Sequence, residues 1–450
     1  MRKTFCMVLG ISMIIGMSTT LMAKERDLDG LTVTVVNWTD VVEPEEKSTT
    51  QEELLWEYRH EMMDTHNFNY ETKGLAQWNT SLELLATSTM AGEPAGEIFR
   101  IHANSVLVAK NSGLLFDLAT LDSIDLKDPK WSQTLQSQMT VGDSVYGIAT
   151  ASGPTFVLYY NKRLFEEAGL DGDLPYDLQA MGEWTWDAFV AVSEQITRDK
   201  DNDGENDVYA ITVNHATFLN CALFSNDGSY VAQDENGNLF YNLGSPNSME
   251  AFEWTNAYWK TDNDIYPSRY NGQKELFTSG KAAMYIAKLW EAKTLTEELM
   301  PDDWGMVAFP KGPKADNYSV VYSDDAYVIP NSYTKEEAED IIFAYDIFTD
   351  SAPGYDGPDD WMIAQYPNFR DERAVEESMA LLKSPGVGKI DYSIAMAGMG
   401  VSTGKAAQDI YFNRMTPAEA VESQASMWQA AIDKINATNP NNVPKEVVEE

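Results

Sequence analysis

Hydrophobic positions along the chain switch repeatedly between two periods. LTVTVVNW (Leu31–Trp38) is a nearly continuous β-branched and apolar run, the pattern of a strand covered on both faces in a parallel sheet. STTQEELLWEYRHEMM follows with helical spacing. Leu54, Leu55, Tyr58 and Met62 share one face, and Thr50 with Glu53 predicts a capping box. FNYET predicts a second strand, WNTSLELLATSTMAG a second helix stopped by Gly92, and EIFRIH a third strand.

The alternation resumes downstream. SGPTFVLYYN reads as a strand and KRLFEEAGL as a short helix ending at Gly169. In WTWDAFVAVSEQIT, Thr185 is the expected N-cap, with Trp186, Phe189, Val190 and Ile196 inward. VYAITVN is another strand, and SPNSMEAFEWTNAYWKTD and NGQKELFTSGKAAMYIA are expected to carry helices. WGMVAFPKGP and YSVVYSDDAYVIP read as strands, and TKEEAEDIIFAYDIF and TPAEAVESQASMWQAAIDKIN as amphipathic helices. Strand and helix alternating in this way predict an α/β protein.

The first residues set where it works. MRKTFCMVLGISMIIGMSTTLMA has a basic start, an apolar run broken by Gly and Ser, and small residues up to Ala23, the layout of a secretory signal peptide. Cleavage after Ala23 leaves 427 of the 450 residues, room for two or three domains at roughly 150 residues each. Cys6 leaves with the leader, so Cys221 remains alone and no intramolecular disulfide is expected. No later stretch is long and apolar enough to span a bilayer, so the mature chain is expected to be exported and soluble. The formal charge of −39 becomes −41 once Arg2 and Lys3 are gone. Such a field disfavours nucleic acid, anionic membranes and polyanionic ligands.

DKDNDGENDVYA (Asp199–Ala210) spaces Asp199, Asp201, Asp203, Glu205 and Asp207 as a calcium loop does, with Gly204 for the sharp turn and Glu205 offering its carbonyl. The twelfth position, where a bidentate glutamate belongs, is Ala210. The expectation is a structural Ca2+ completed by a distant carboxylate, set against a plain Asp/Gly-rich turn.

Catalytic motifs fail on context. GVSTG (Gly400–Gly404) fits the nucleophile elbow, but that arrangement needs a later histidine and the last one is His215. SPGVGKI lacks the phosphate loop's first glycine, which is Lys383, and has Ile390 in place of Ser or Thr. The four histidines have no zinc-ligand spacing. A glycosidase-type carboxylate pair among 71 acidic residues is left open.

VYGIATASGPTFVLYYNKRLFEEAGL (Val145–Leu170) resembles the lobe-crossing segment of extracellular solute-binding proteins: Tyr146-Gly147-Ile148, Tyr160-Asn161-Lys162, then Leu164-Phe165 and Ala168-Gly169-Leu170. TWDAF, LFTSGKAAMYIAKLW, WGMVAFPKGP and LATSTMAGEPAGEIFRI match the family in order, the second as its Phe-x-x-Gly-Lys-Ala-Ala-Met helix. The chain is similar to the maltose-type branch, which serves ABC importers. The resemblance implies a two-lobed periplasmic-binding-protein fold, each lobe a mostly parallel sheet flanked by helices, hinged by crossing segments. Residues 24–150 with about 326–370 form the N-terminal lobe, 151–325 with about 371–437 the C-terminal lobe, and 438–450 a polar tail. The expected partners are a sugar and an ABC permease, for a monomer in the periplasm or otherwise outside the cytoplasm.

Open α/β sheets bind ligands beyond the carboxyl ends of their strands. With the resemblance, that rule implies ligand contacts from Trp38, Asp40, Trp78, His102 and Asn104 in the first lobe and Ser152 on the first crossing. In the second lobe and later crossings it implies Asn214, His215, Trp290, Ser323, Asp324, Trp361 and Arg370. Tryptophan covers the flat C–H face of a pyranose, and Asp, Asn and His match its hydroxyl rim. Two alternatives stay open: the same receptor fold binding a polyamine, peptide or other small solute, and an exported carbohydrate hydrolase.

Overall fold

Two sheets organise the chain. In the computed structural model, residues 26–150, 153–234, 238–322, 325–357, 359–396 and 399–437 are described. The leader, its cleavage site, the tail and the expected contacts Ser152, Ser323 and Asp324 lie outside them.

β1 (Leu31–Val36), β2 (Phe68–Lys73) and β3 (Ile98–His102) run parallel with β1 in the middle. α1 (Thr50–His66) and α2 (Ser81–Met90) are the crossovers, and α3 (Ala103–Asn111) leaves the end of β3. α1 is capped by Thr49, not Thr50: its side chain accepts from Glu52 N at 3.1 Å. Both threonines precede a glutamate by three residues, and Thr49 is the one in extended backbone. Side chains alternate across β1. Val33 and Val35 face one buried cluster and Val36 faces another, so helices cover both faces as the apolar run requires.

The second sheet takes β4 (Phe156–Asn161), β5 (Tyr209–Thr212), β6 (Asp264–Ile265), β7 (Ala282–Lys288) and β8 (Trp304–Val307) in the order β6-β5-β7-β4-β8. β5, β6 and β7 are parallel, and β4 is antiparallel to β7 and β8. Helices α4 (Trp186–Ile196), α5 (His215–Ser225), α6 (Pro246–Tyr258) and α7 (Gln273–Thr278) connect these strands. Thr185 caps α4 as expected, accepting from Ala188 N.

The Ala-Ala-Met segment is not a helix. α7 stops at Thr278, Gly280 turns at φ +73, and Ala282–Lys288 is the strand β7. Its first six residues are all buried between β5 and β4. Alanine and methionine favour helix in isolation, but a central sheet position overrides that preference.

The chain then returns to the first sheet. β9 (Asp325–Val328) pairs antiparallel with β3, and α8 (Lys335–Phe348) packs on the sheet through Ile341, Ile342 and Tyr345. α9 (Thr403–Tyr411) and α10 (Pro417–Asn436) close the second core. Capping boxes start α8 (Thr334, Glu337) and α10 (Thr416, Glu419).

The second core is dense in aromatics. Phe218 is fully buried and packs near Trp254, Tyr258, Trp259 and Phe309, with ring centroids 5.3–5.8 Å away. Phe218→Ala is expected to lower unfolding stability by about 3–5 kcal/mol. Urea denaturation checks this, and a loss below about 1 kcal/mol would mean the cluster repacks.

Candidate functional site

Two chain crossings decide which sheet ends meet. Ile148 and Tyr327 pair through backbone bonds of 3.0 and 2.7 Å, and Thr155 N donates to Val321 O at 2.8 Å. One crossing runs into β9 at Asp325, which pairs with His102 at the carboxyl end of β3. The other runs into β4 at Phe156, which pairs with Lys288 at the carboxyl end of β7. Both crossings therefore tie the carboxyl end of β3 to that of β7. The short helix Tyr392–Met396, packed on the second core, also reaches α3 of the first lobe.

On the first lobe, Arg100 and His102 share a face of β3 by the two-residue repeat. Arg100 is ion-paired to Asp325, donates to Asn37 Oδ1 at 3.0 Å, and lies 4.0 Å over the Trp38 ring. His102 packs between Trp38 and Trp78, with centroids 5.2 and 6.1 Å away. Trp38 Nε1 and Arg100 Nε are buried and meet no acceptor among the described residues. Trp78 is 61% exposed. Asp40 ties two strand-end loops together, accepting from Gly74 N at 2.8 Å. Asn104 is the second residue of α3.

On the second lobe, Asn214 caps α5 through a bond from Thr217 N at 3.2 Å, fixing how His215 leaves β5. His215 stacks on Tyr266 and Tyr411, both 5.6 Å away, and meets Phe412 edge-on. Burial holds the His215 pKa below its ordinary value. Trp290, 61% exposed, sits on a turn that Tyr159 pins by donating to Leu289 O at 2.9 Å.

Two expected contacts are engaged elsewhere. Trp361 packs on the second core with Lys383 4.8 Å over its ring. Arg370 donates to Asp302 O at 2.8 Å and Leu295 O at 3.2 Å. The sequence reading singled out neither Arg100, Asn37, Tyr266, Tyr411 nor Phe412. An arginine two positions before His102 in a buried strand was a legible signal.

The aspartate loop lies where β5 begins, at the opposite end of that strand from His215. Asp199 accepts from Asn202 N and Gly204 N at 2.7 and 2.8 Å, and these bonds, chiefly that from Gly204, hold its pKa below the usual range. Carboxylate oxygens of Asp199, Asp201 and Asp207 lie within 4.8 Å of one another. Asp203 instead accepts from Glu205 N at 2.8 Å.

Residues 60–345 match the family of bacterial extracellular solute-binding proteins. The chain belongs to this family. The solute-binding chain is 23% identical, over 267 residues, to proteins of Brucella abortus and Brucella suis whose names call them binding proteins. That match covers 58% of this chain and spans about 60% of the length of those curated relatives. Among solved structures, the solute-binding chain is similar to a Listeria monocytogenes ABC substrate-binding protein in complex with cycloalternan (TM-score 0.62, 17% identity, 91% of this chain and 99% of that one). It is also similar to the cyclic α-maltosyl-1,6-maltose binding protein of Arthrobacter globiformis (TM-score 0.64, 14% identity, 90% and 100%). A third likeness is a Mycobacterium tuberculosis protein in complex with glycerophosphocholine (TM-score 0.61, 13% identity, 90% and 99%). At these identities the likeness carries the fold: two α/β lobes. Among the described residues, no helix is long and apolar enough to cross a membrane.

A double-mutant cycle on Arg100→Met and Asp325→Asn is expected to give a coupling of about 1–2 kcal/mol in unfolding free energy. Strict additivity in denaturant melts would show the pair to be incidental.

Proposed function

We propose that this solute-binding protein is the capture component of an ABC importer, that it binds a carbohydrate between its lobes, and that it delivers the sugar to a membrane permease without turning it over. It works as a monomer outside the cytoplasm, after loss of residues 1–23. The observation that carries this reading is that each lobe has an aromatic–polar group beyond the carboxyl ends of its strands, the ends that the crossings join. On one lobe Trp38 lies under a charge-compensated guanidinium and packs with His102, which packs with Trp78, and on the other Trp290, His215 and Tyr266 follow strand ends.

The chemistry suits a neutral polyol. Each ring hydroxyl buried without a partner forfeits about 1–3 kcal/mol, so such a ligand needs both flat apolar faces and a supply of donors and acceptors. Asn37, Arg100, His102 and Asp325 supply the polar groups, and the indoles supply the faces. Solved neighbours of the same fold bind cycloalternan and maltotetraose, which favours an oligosaccharide. Closure about the crossings follows from contacts made only when both faces meet the ligand.

Tryptophan fluorescence and thermal shift against mono- and oligosaccharides, polyamines and peptides test the reading. A saturable response to one sugar class with no product released is expected. A response confined to polyamines or peptides would keep the receptor and replace its ligand, and release of product would make the protein a hydrolase. Trp290→Ala is expected to raise the Kd for the responding sugar about tenfold or more, worth about 1.4 kcal/mol, while Trp254→Phe in the second core leaves it unchanged.

The aspartate loop is proposed as a structural Ca2+ turn held by Asp199, Asp201 and Asp207, with Glu205 contributing its carbonyl. Three converging carboxylates on a loop folded by its own amide bonds support this, and the site's place at the far end of β5 gives the ion no part in ligand capture. Calcium at 100 times its Kd should stabilise by about 2.7 kcal/mol. Asp201→Asn keeps the bond from Asp203 N and is expected to abolish the calcium-dependent rise in melting temperature; an unchanged rise would remove Asp201 from the site.

A further inference from the structure

The aromatic group of the second lobe meets a buried carboxylate. Asp264 is the first residue of β6, at the edge of the sheet, and its Oδ2 accepts from the Tyr411 hydroxyl at 2.8 Å. Tyr411 ends α9, far away in sequence, and stands among Trp259, His215, Tyr266 and Phe412 with centroids 5.1–5.6 Å away. Tyr266 and Phe412 are 44% and 42% exposed, so the open side of this stack is the side that follows the carboxyl ends of β5 and β6.

We propose that Asp264 is a positioning residue of the cleft: by accepting from Tyr411 it fixes the ring on which His215 and Tyr266 stack, and so sets the geometry of the wall that the ligand meets. This rests on the interlobe-receptor reading. The bond from a phenol to an ionised carboxylate is charge-assisted and roughly twice as strong as a neutral one, so the wall is held most firmly while Asp264 is ionised. The groups that bear on Asp264 are Asp262 beside it, Tyr411 on α9, Tyr258 on α6 and Tyr209 on β5, all of them acids. Burial, with a smaller contribution from Asp262, pushes the carboxyl up to about 6 against the bond from Tyr411, which lowers it. The folded pKa therefore lies above the unfolded value of about 3.9. Between those values the folded state binds more protons, so stability from this group is lost as pH rises from about 4 to about 6. Affinity should move the other way, rising as the carboxylate forms.

Asp264→Asn separates these effects, because it keeps an acceptor oxygen and the volume but stays neutral. With 13C-labelled tyrosine, the Tyr411 ring resonance (assigned with Tyr411→Phe) is expected to titrate with a midpoint near pH 6 in the wild type and to lose that component in Asp264→Asn, which keeps only the response to the stacked His215. That comparison tests the positioning role with no ligand present, and a titration identical in the two proteins overturns it. For the sugar that saturates the wild type, Kd is expected to rise about fivefold from pH 7.5 to pH 5, the ratio for a charge-assisted bond becoming neutral. Asp264→Asn should bind about fivefold more weakly than wild type at pH 7.5, show no pH dependence from this site, and melt at a higher temperature. His215 is present in both proteins, so its own titration cancels in the comparison. Weaker binding with higher stability is an outcome a purely structural residue does not produce. Equal Kd values in the two proteins at both pH values overturn the proposal and leave the carbohydrate reading intact. Wild-type silence towards every sugar, with the ring still titrating, overturns the carbohydrate reading and not the positioning of Tyr411.

Discussion

The backbone pairing of two chain crossings is the constraint on which the rest of the structure depends. Ile148 with Tyr327 and Thr155 with Val321 hold the crossings against each other. One joins the first sheet at Asp325, opposite His102, and the other joins the second at Phe156, opposite Lys288. A parallel sheet places its loops and helix starts at the carboxyl ends of its strands, where side chains are free of the ladder. Joining two such sheets at those ends turns positions far apart in sequence into two faces of one cleft.

Charge is distributed to match. The chain carries 71 acidic and 32 basic side chains, yet the first-lobe face is built around a cation balanced by one carboxylate. Packing of Arg100 over Trp38 adds a cation–π contact and leaves the guanidinium little conformational choice. The acidic loop at Asp199–Asp207 stands at the far end of β5, so its field falls on the outer end of the second lobe.

Much of this was legible in the sequence, for identifiable reasons. β1, β3, β4 and β5 announce themselves because strands covered on both faces must be almost wholly apolar. β7 misleads because alanine and methionine are good helix formers, and only its neighbours on both sides make Ala282–Lys288 a strand. The rule for strand ends picked out Trp38, Trp78, His102, His215 and Trp290, and the structure places them at or past strand ends, all but Trp290 in aromatic groups. Asn37 and Arg100 lie one residue past a strand and inside one, and the rule passes over such places. Tyr411 and Asp264 meet across 147 residues, and β6 is too short for any periodicity to reveal. Trp361 and Arg370 show the reverse. They occur in the expected region, and the second core and two backbone carbonyls occupy them.

Asp325 belongs to two systems at once. It is the first residue of β9, directly after a crossing, and it is also the counter-ion of Arg100. Its backbone is held opposite His102 in the first sheet, so the ion pair belongs to the first lobe and stands directly beside the crossing. The face around Arg100 is therefore anchored at the very residue where the crossing ends, so hinge and face share a boundary at a single side chain.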